Sequence, residues 1–249
     1  MMQRLVSFVE TLPEVCANDV RFRVPFLLPR WFRMPRRVRV AGQWIRLHAP
    51  DEEGVEAELL TCMLRNVYGL GRGLGEVRTI VGVGANLGFF LLAARAYYPR
   101  ARIHAYEPNP RILPMLRANT AAVDVTVFAE AVGGRAGMVT LKDDGPSNRA
   151  RVVEGHADGH AVPQVTMETV MERMGGVADL LKLDCEGAEW EILRPGPWWK
   201  AVRNVRMEYH LFHGETVKQA TDALEGLGFR VARVRQTGEK GGAIWARQR

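Results

Sequence analysis

In the segment LLKLDCEGAEWEIL, Lys182 and Asp184 stand two residues apart, and Glu186 and Glu189 follow closely. Apolar neighbours make the segment read as a buried strand, whose alternation puts Lys182 and Asp184 on one face. A lysine buried alone is costly and a nearby carboxylate offsets its desolvation, so one reading is a structural ion pair. The sharper reading puts Asp184 at the carboxyl end of its strand, where open α/β sheets bind ligands. In RNVRMEYH, Glu208 and His210 alternate with Val205, Met207 and Tyr209 and so share a face. A histidine beside a carboxylate suits a general base for a hydroxyl, with His213 in reserve. Asp184, Glu186 and Glu208 also suit Mg²⁺, which would bind a substrate oxygen and lower its pKa.

A second constellation lies upstream. In TIVGVGANLGFFLLAARA, Gly82, Gly84 and Gly88 form a glycine turn between a strand and an apolar helix, where the backbone can approach a ligand closely. The next strand, HAYEPNP, ends on Glu107, where nucleotide-binding α/β folds keep a carboxylate for ribose hydroxyls. The glycine turn alone is as readily structural; paired with Glu107 it points to a nucleotide-type cofactor.

Positioning these groups requires an α/β body. From Glu76 onward, short β-branched runs alternate with amphipathic stretches, the pattern of a parallel sheet covered by helices. Expected strands are Arg78–Val83, Arg102–Tyr106, Val125–Ala129, Leu180–Asp184, Val205–Tyr209, Phe229–Arg235 and Gly242–Ala246. The short QTGEKGG between the last two leaves no room for a crossover helix and predicts an antiparallel edge hairpin. The polar DDGPSNRARVVEGHADGH reads as a loop or irregular hairpin, where His156 and His160 are unsuited to a helix. Cys185 reads as a small apolar residue, and Trp190, Trp198 and Trp199 as pocket walls or core caps.

The net charge of +6 is concentrated in residues 1–50, where nine Arg face three Asp or Glu. Leu5, Phe8, Val9 and Leu12 at helical spacing predict an amphipathic N-terminal helix that packs on the body or makes a homodimer. The following basic arm reads as a solvated entry segment, or as a site for an acidic or carrier-bound substrate. Residues 1–55 are expected as an extension, a lid or interface, and 56–249 as the catalytic domain. Cys16, Cys62 and Cys185 lie far apart, so neither a disulfide framework nor a zinc site is expected. No secretory leader or membrane span is evident, and the expectation is a soluble cytoplasmic protein.

GANLGFF, YEPNP followed by ML-x-x-N, LLKLDCEGAEWEIL and MEYH together resemble the FkbM family of S-adenosylmethionine (SAM)-dependent methyltransferases, over roughly Glu56 to Arg249. The resemblance implies a Rossmann-like class I methyltransferase fold, with a seven-stranded, mostly parallel sheet. It implies transfer of a methyl group to a hydroxyl oxygen of a sugar, polyketide or lipid-like natural product in secondary metabolism. By it, Gly84, Ala85, Asn86 and Gly88 line the methionine part of SAM, Glu107 holds the ribose, and Pro108, Asn109, Glu130 and Ala131 border the adenine. Gly82 occupies the position where the family carries an acidic residue near the methionine amino group, a job that Glu56 or Glu58 would share. Asp184, Lys182, Glu208 and His210 are the catalytic candidates. Nucleic acid is not expected as a partner, since the Asn-Pro-Pro-Tyr and Pro-Cys signatures of base methylation are absent, although an RNA methyltransferase is the leading alternative. No Tyr is followed four residues later by Lys, which disfavours a short-chain dehydrogenase. A non-catalytic binding protein of the same fold is the third reading.

Overall fold

The structure, a computed structural model, describes residues 2–25, 32–143, 145–153, 158–212, 214–236 and 241–249, the side chains of 2–11 and 148 apart. His156 and His213 fall outside it. Helix α1 (Met2–Phe22) buries Val15, Asn18 and Phe22, three or four residues apart on one face. Asn18 anchors it, with Nδ2 donating to Leu64 O at 3.1 Å and Oδ1 accepting from the Tyr97 hydroxyl at 2.9 Å. Of the predicted stripe Leu12 is 39% exposed, and the side chains of Leu5, Phe8 and Val9 lie outside the described residues. Strands β1 (Arg37–Val40) and β2 (Gln43–Arg46) pair antiparallel about Ala41 and Gly42, both at positive φ as a tight hairpin turn requires. Val38, Val40 and Ile45 join the buried cluster that holds Phe89 and Leu92, so the N-terminal segment shares a core with the body.

Helix α2 (Val55–Leu59) runs into a π-helical turn (Leu60–Leu64), a local widening often found at functional sites. There follow β3 (Thr79–Val83), α3 (Phe89–Tyr97), β4 (Arg102–Tyr106), α4 (Leu113–Thr120), β5 (Val125–Phe128), β6 (Ala131–Val132), β7 (Gly137–Lys142), β8 (Arg151–Val153) and β9 (His160–Val165). The chain ends with α5 (Met167–Met174), β10 (Leu180–Leu183), α6 (Glu189–Ile192), β11 (Asn204–His210), α7 (Val217–Gly226), β12 (Phe229–Gln236) and β13 (Gly241–Gln248).

All the expected strands are present within two residues of their expected ends, in one seven-stranded sheet of order β12-β13-β11-β10-β3-β4-β5. The five strands from β11 to β5 are parallel, whereas β13 lies antiparallel to both β11 and β12. The edge hairpin is thus as expected, its turn at 237–240 lying outside the described residues. This is a class I methyltransferase fold. The strand order reverses between β3 and β10, which opens a crevice at their carboxyl ends. Alternation divides the core between two faces: Ile80 and Leu180 pack with α2 and α3, Val81, Val83, Leu181 and Leu183 with the opposite layer. Lys182, on the Leu180 face, is therefore directed to the α2 side.

The polar stretch 143–160 takes the irregular-hairpin form of its two expected readings: it carries β8, which pairs antiparallel with β7, and leads into β9. With β6 these strands make a second sheet of order β6-β9-β7-β8 that was not expected. Its strands are short and bury only Ala131, Val132, Leu141, Val162 and Gln164, and Pro163 inside β9 argues against a strand by its missing N–H. Among the described residues no helix is long and apolar enough to cross a membrane.

Candidate active site

The cleft at the strand-order reversal has a volume of about 240 Å³, a little under the ~300–1,000 Å³ usual for small-molecule sites. Its floor is Val83, Gly84, Tyr106, Glu107 and Asp184, while α2 lends Ala57 and Glu58 and the π-helical turn after it Thr61 and Cys62. Opposite, the small sheet contributes Leu141, Arg151 and Val152. Of the residues expected to bind cofactor, Gly84, Asn86, Glu107, Pro108, Glu130 and Ala131 line the cleft, as do Asp184, Glu186 and Glu208.

Glu107 is 6% exposed, with Oε2 accepting from Asn86 N at 2.7 Å and Oε1 from Asn109 N at 2.9 Å. Burial outweighs these hydrogen bonds and the charge of Lys182, and holds its pKa above the ordinary value. Each oxygen keeps a lone pair for a ligand hydroxyl. Asn86, at φ 44°, donates through Nδ2 to Glu58 Oε2 at 2.7 Å. Its Oδ1 is buried without a partner.

Other expected cofactor residues stand behind this surface. Gly82 does not reach the cleft: a Cβ there would meet Leu91 Cδ2 at 3.2 Å, on the α3 side. Ala85 and Gly88 shape the turn into α3, and Asn109 braces the loop after Glu107. Glu56 accepts from Met34 N at 3.2 Å, and it is Glu58, two residues on and turned to another side of the helix, that enters the cleft. Burial and the charges of Asp184, Glu107 and Glu208, only partly relieved by Lys182, push Glu58 up to about 8. Glu130 lies at the rim in an ion pair with Arg173, whose guanidinium also covers the Phe128 ring.

The expected Lys182–Asp184 pair is present at 3.0 Å, with Lys182 Nζ also donating to Gly84 O at 2.5 Å. Burial would raise Asp184, but Lys182, His210 and the Tyr68 hydroxyl hold it below the ordinary carboxylate range. Tyr68 donates to Asp184 Oδ2 at 2.8 Å and lies 3.4 Å from Glu208 Oε2. Burial and the charge of Asp184 lift Glu208 to about 7, against the opposing charges of His210 and Lys182. Burial, Asp184, Glu189 and Glu208 lift Glu186 to about 8 in spite of His210.

His210 stands beside the cleft. It is not part of the cleft lining, and its Nδ1 lies 3.4 Å from Glu189 Oε1, outside hydrogen-bonding geometry, with Nε2 3.6 Å from Glu186 Oε1. Burial alone would lower its pKa, but Glu189, Glu186 and Asp184 carry it up to about 10. His210 is therefore an imidazolium at neutral pH, with no vacant lone pair for a substrate proton.

The three carboxylates considered for Mg²⁺ do not converge among the described residues. The set whose ligand atoms lie within 4.8 Å is Asp184, Glu189 and His210. In this set Glu189 already accepts from Cys185 N at 2.5 Å and Gly187 N at 2.8 Å and faces His210, so the three groups brace one another through hydrogen bonds and opposite charge. The tryptophans also stand away from the cleft: Trp199 is buried against Trp198 and Phe229, and Trp190 donates to His210 O. Cys185 lines the cleft and is only half-buried.

These charges have a consequence for stability. Glu58, Glu186, Glu208 and His210 all have folded-state pKa values above their unfolded ones, so each stabilises the fold at low pH and loses that contribution as pH rises through its folded value. The ligand-free protein is expected to melt at a lower temperature at pH 8.5 than at pH 6.5. Glu58→Gln and Glu186→Gln together should flatten the dependence in a thermal-melt series.

Tyr68, Thr61 and Cys62 belong to no motif and were not anticipated. Signals for the α2 contribution are present nonetheless: Gly54, Ala57, Glu58, Thr61 and Cys62 recur at helical spacing as a small and polar stripe, opposite the buried Val55, Leu59 and Met63.

The Methyltransferase FkbM domain model matches residues 82–231. Methyltransferase sdnD of Sordaria araneosa is 31% identical over 196 residues, covering 63% of this chain and 75% of its own length. The 31-O-demethyl-FK506 methyltransferase FkbM of Streptomyces tacrolimicus is 26% identical over 245 residues, covering 80% of this chain and 88% of its own. Among solved structures, Aeropyrum pernix fibrillarin, with natively bound S-adenosyl-L-methionine, covers 90% of this chain and 85% of its own at 14% identity and a TM-score of 0.49. With more than half of its length matched by that model, this chain belongs to the FkbM methyltransferase family.

Proposed function

We propose that this protein is a SAM-dependent methyltransferase that methylates a hydroxyl oxygen of an uncharged small molecule. The observation that carries the reading is one cleft in which a buried ribose-type carboxylate, Glu107, and a carboxylate suited to proton removal, Glu208, flank the close approach of Gly84 to Asp184. The residues fit SAM chemically. Glu107 has lone pairs for both ribose hydroxyls, and the orphaned Asn86 Oδ1 and the Glu58 side chain beside it suit an ammonium group.

When bound, SAM supplies a methyl group already activated on a sulfonium, so the protein has mainly to align the acceptor and remove its proton. Glu208 is the base we assign, because a carboxylate titrating near 7 is half ionised where it works. Lys182 and Tyr68 hold Asp184 ionised in the floor of the cleft, where its negative charge complements a cationic donor. Glu58, Glu107, Glu130, Asp184, Glu186 and Glu208 all line the cleft against a single guanidinium, Arg151. Glu58 and Glu186, near 8, are largely protonated at neutral pH, but ionised Asp184 and half-ionised Glu208 still disfavour a phosphate or carboxylate beside them and favour a neutral alcohol as acceptor. The printed name of the Streptomyces relative, a 31-O-demethyl-FK506 methyltransferase, supports an oxygen as the methyl acceptor.

Calorimetric titration with SAM, S-adenosylhomocysteine and NADH tests the reading. Tight binding of either sulfur nucleotide and none of NADH is expected. Glu107→Ala should weaken it by roughly 10- to 150-fold, the effect of hydrogen bonds to a charged group. A wild-type protein that binds neither SAM nor S-adenosylhomocysteine would refute it. Turnover should be unaltered by a magnesium chelator.

A further inference from the structure

Tyr68 lies in the glycine-rich segment NVYGLGRGLG, upstream of the family match, and nothing in its sequence context marks it. The segment is fastened through its backbone: Arg206 Nε donates to Tyr68 O at 2.8 Å, and Trp245 Nε1 to Val67 O at 2.8 Å. The Trp245 indole rests directly on Gly69, where a Cβ would lie 2.3 Å from Cη2. Phe90 meets the Tyr68 ring edge-on at 5.2 Å, and the ring is 2% exposed. The hydroxyl is thereby delivered to one place.

Two carboxylate oxygens face it there, Asp184 Oδ2 at 2.8 Å and Glu208 Oε2 at 3.4 Å, and a phenol has one proton to give. Asp184 Oδ2 is also held by Lys182 Nζ at 3.0 Å and stays ionised, so the shorter, charge-assisted bond takes that proton. What Tyr68 turns toward Glu208 is a lone pair. Two such oxygens repel until a proton comes between them.

We propose that Tyr68 is a positioning residue that gives its single proton to Asp184 and presents its oxygen to receive a hydrogen bond from Glu208 once Glu208 has taken a proton. On the methyltransferase reading, that proton comes from the acceptor hydroxyl. As the acceptor's O–CH₃ bond forms and the donor's S–CH₃ bond breaks, the O–H proton passes to the Glu208 carboxylate. The new carboxyl O–H then points to Tyr68 Oη, and the positive charge of the sulfonium and the negative charge of the carboxylate vanish together. The origin of the proton rests on the proposed function; the direction of the hydrogen bonds does not. Glu208 feels Glu58 and Cys62 from the α2 side, Lys182, Asp184 and Glu186 from β10 and the turn after it, and His210 from its own strand. A change confined to Tyr68 leaves all of these in place.

The test is infrared titration of the carboxylic-acid C=O band in the full-length protein, assigned to Glu208 by its loss in Glu208→Gln, and repeated in Tyr68→Phe, which keeps the ring and its packing on Phe90. If Tyr68 accepts from Glu208, removing its oxygen destabilises the protonated acid, and the Glu208 midpoint falls by about half to one pH unit. A midpoint that rises would mean that Tyr68 donates to Glu208 instead. An unchanged midpoint, or no band lost in Glu208→Gln, would equally overturn the proposal. Binding of S-adenosylhomocysteine within about threefold of wild type in Tyr68→Phe shows an intact cleft. Failure of the wild type to bind it would fall on the proposed function and leave the infrared result standing.

Discussion

Glu208→Gln is expected to lower the turnover of a hydroxylated acceptor by roughly 10²- to 10⁴-fold, the usual contribution of a general base. Its affinity for S-adenosylhomocysteine should be nearly unchanged, because Glu107, Asn86 and Glu58 are untouched. Glutamine preserves the shape of the side chain and removes the capacity to take a proton. The pH profile separates Glu208 from His210. With Glu208 as base, the wild-type rate climbs with pH to a plateau above about 7, and on the acid side falls tenfold per unit as Glu208 becomes protonated. If His210 removed the proton, the rate would keep rising toward about 10, where the imidazolium finally dissociates. A limb near 10, or a glutamine variant with full activity, would transfer the role of base away from Glu208.

The difference between these two residues also shows where sequence reasoning runs out. Alternation in RNVRMEYH places Glu208 and His210 on one face, and the structure agrees. What alternation does not contain is the company each residue keeps: Glu189 and Glu186 come from the turn after β10 and turn His210 into a cation. The parallel sheet was legible because buried strands declare themselves by apolar runs of fixed length, and the edge hairpin because seven connecting residues hold no helix. Lys182 beside Asp184 was legible for the same reason, since a period of two fixes the face. The β6–β9 sheet was not, for its strands are short, bury few side chains and include Pro163. The site's third wall was missed because it comes from outside the motifs. Gly82 drew attention to a missing carboxylate, and Glu56 and Glu58 were equal candidates until the rotation of α2 was known. Tyr68 reaches Asp184 and Glu208 across more than a hundred residues of sequence, a distance over which local pattern carries no information.

Gly84→Ala should be the most damaging single substitution in the cofactor turn. The residue has φ +72°, and a Cβ built on it would stand 1.6 Å from the backbone oxygen of Asp184 and 2.7 Å from its carbonyl carbon. Neither atom is the end of a flexible side chain, so β3 and β10 would have to part at their carboxyl ends. That separation would also disturb the hydrogen bond from Lys182 Nζ to Gly84 O, and with it the anchoring of Asp184. Left-handed backbone costs an alanine about 1–2 kcal/mol and overpacking about 1–3 kcal/mol more, so a loss of roughly 2–5 kcal/mol is expected. At ~2–4 °C per kcal/mol for a protein of this size, that is a melting temperature lower by roughly 5–20 °C. Gly73→Ala is the matched control. Gly73 has φ +63° but nothing within 4 Å of an added Cβ, so its substitution carries the backbone cost without the collision. If the two variants melt together and bind S-adenosylhomocysteine alike, the close approach of Gly84 to Asp184 has no energetic weight. If Gly84→Ala alone loses both stability and binding, the contact between the ends of β3 and β10 is what shapes the floor of the cleft.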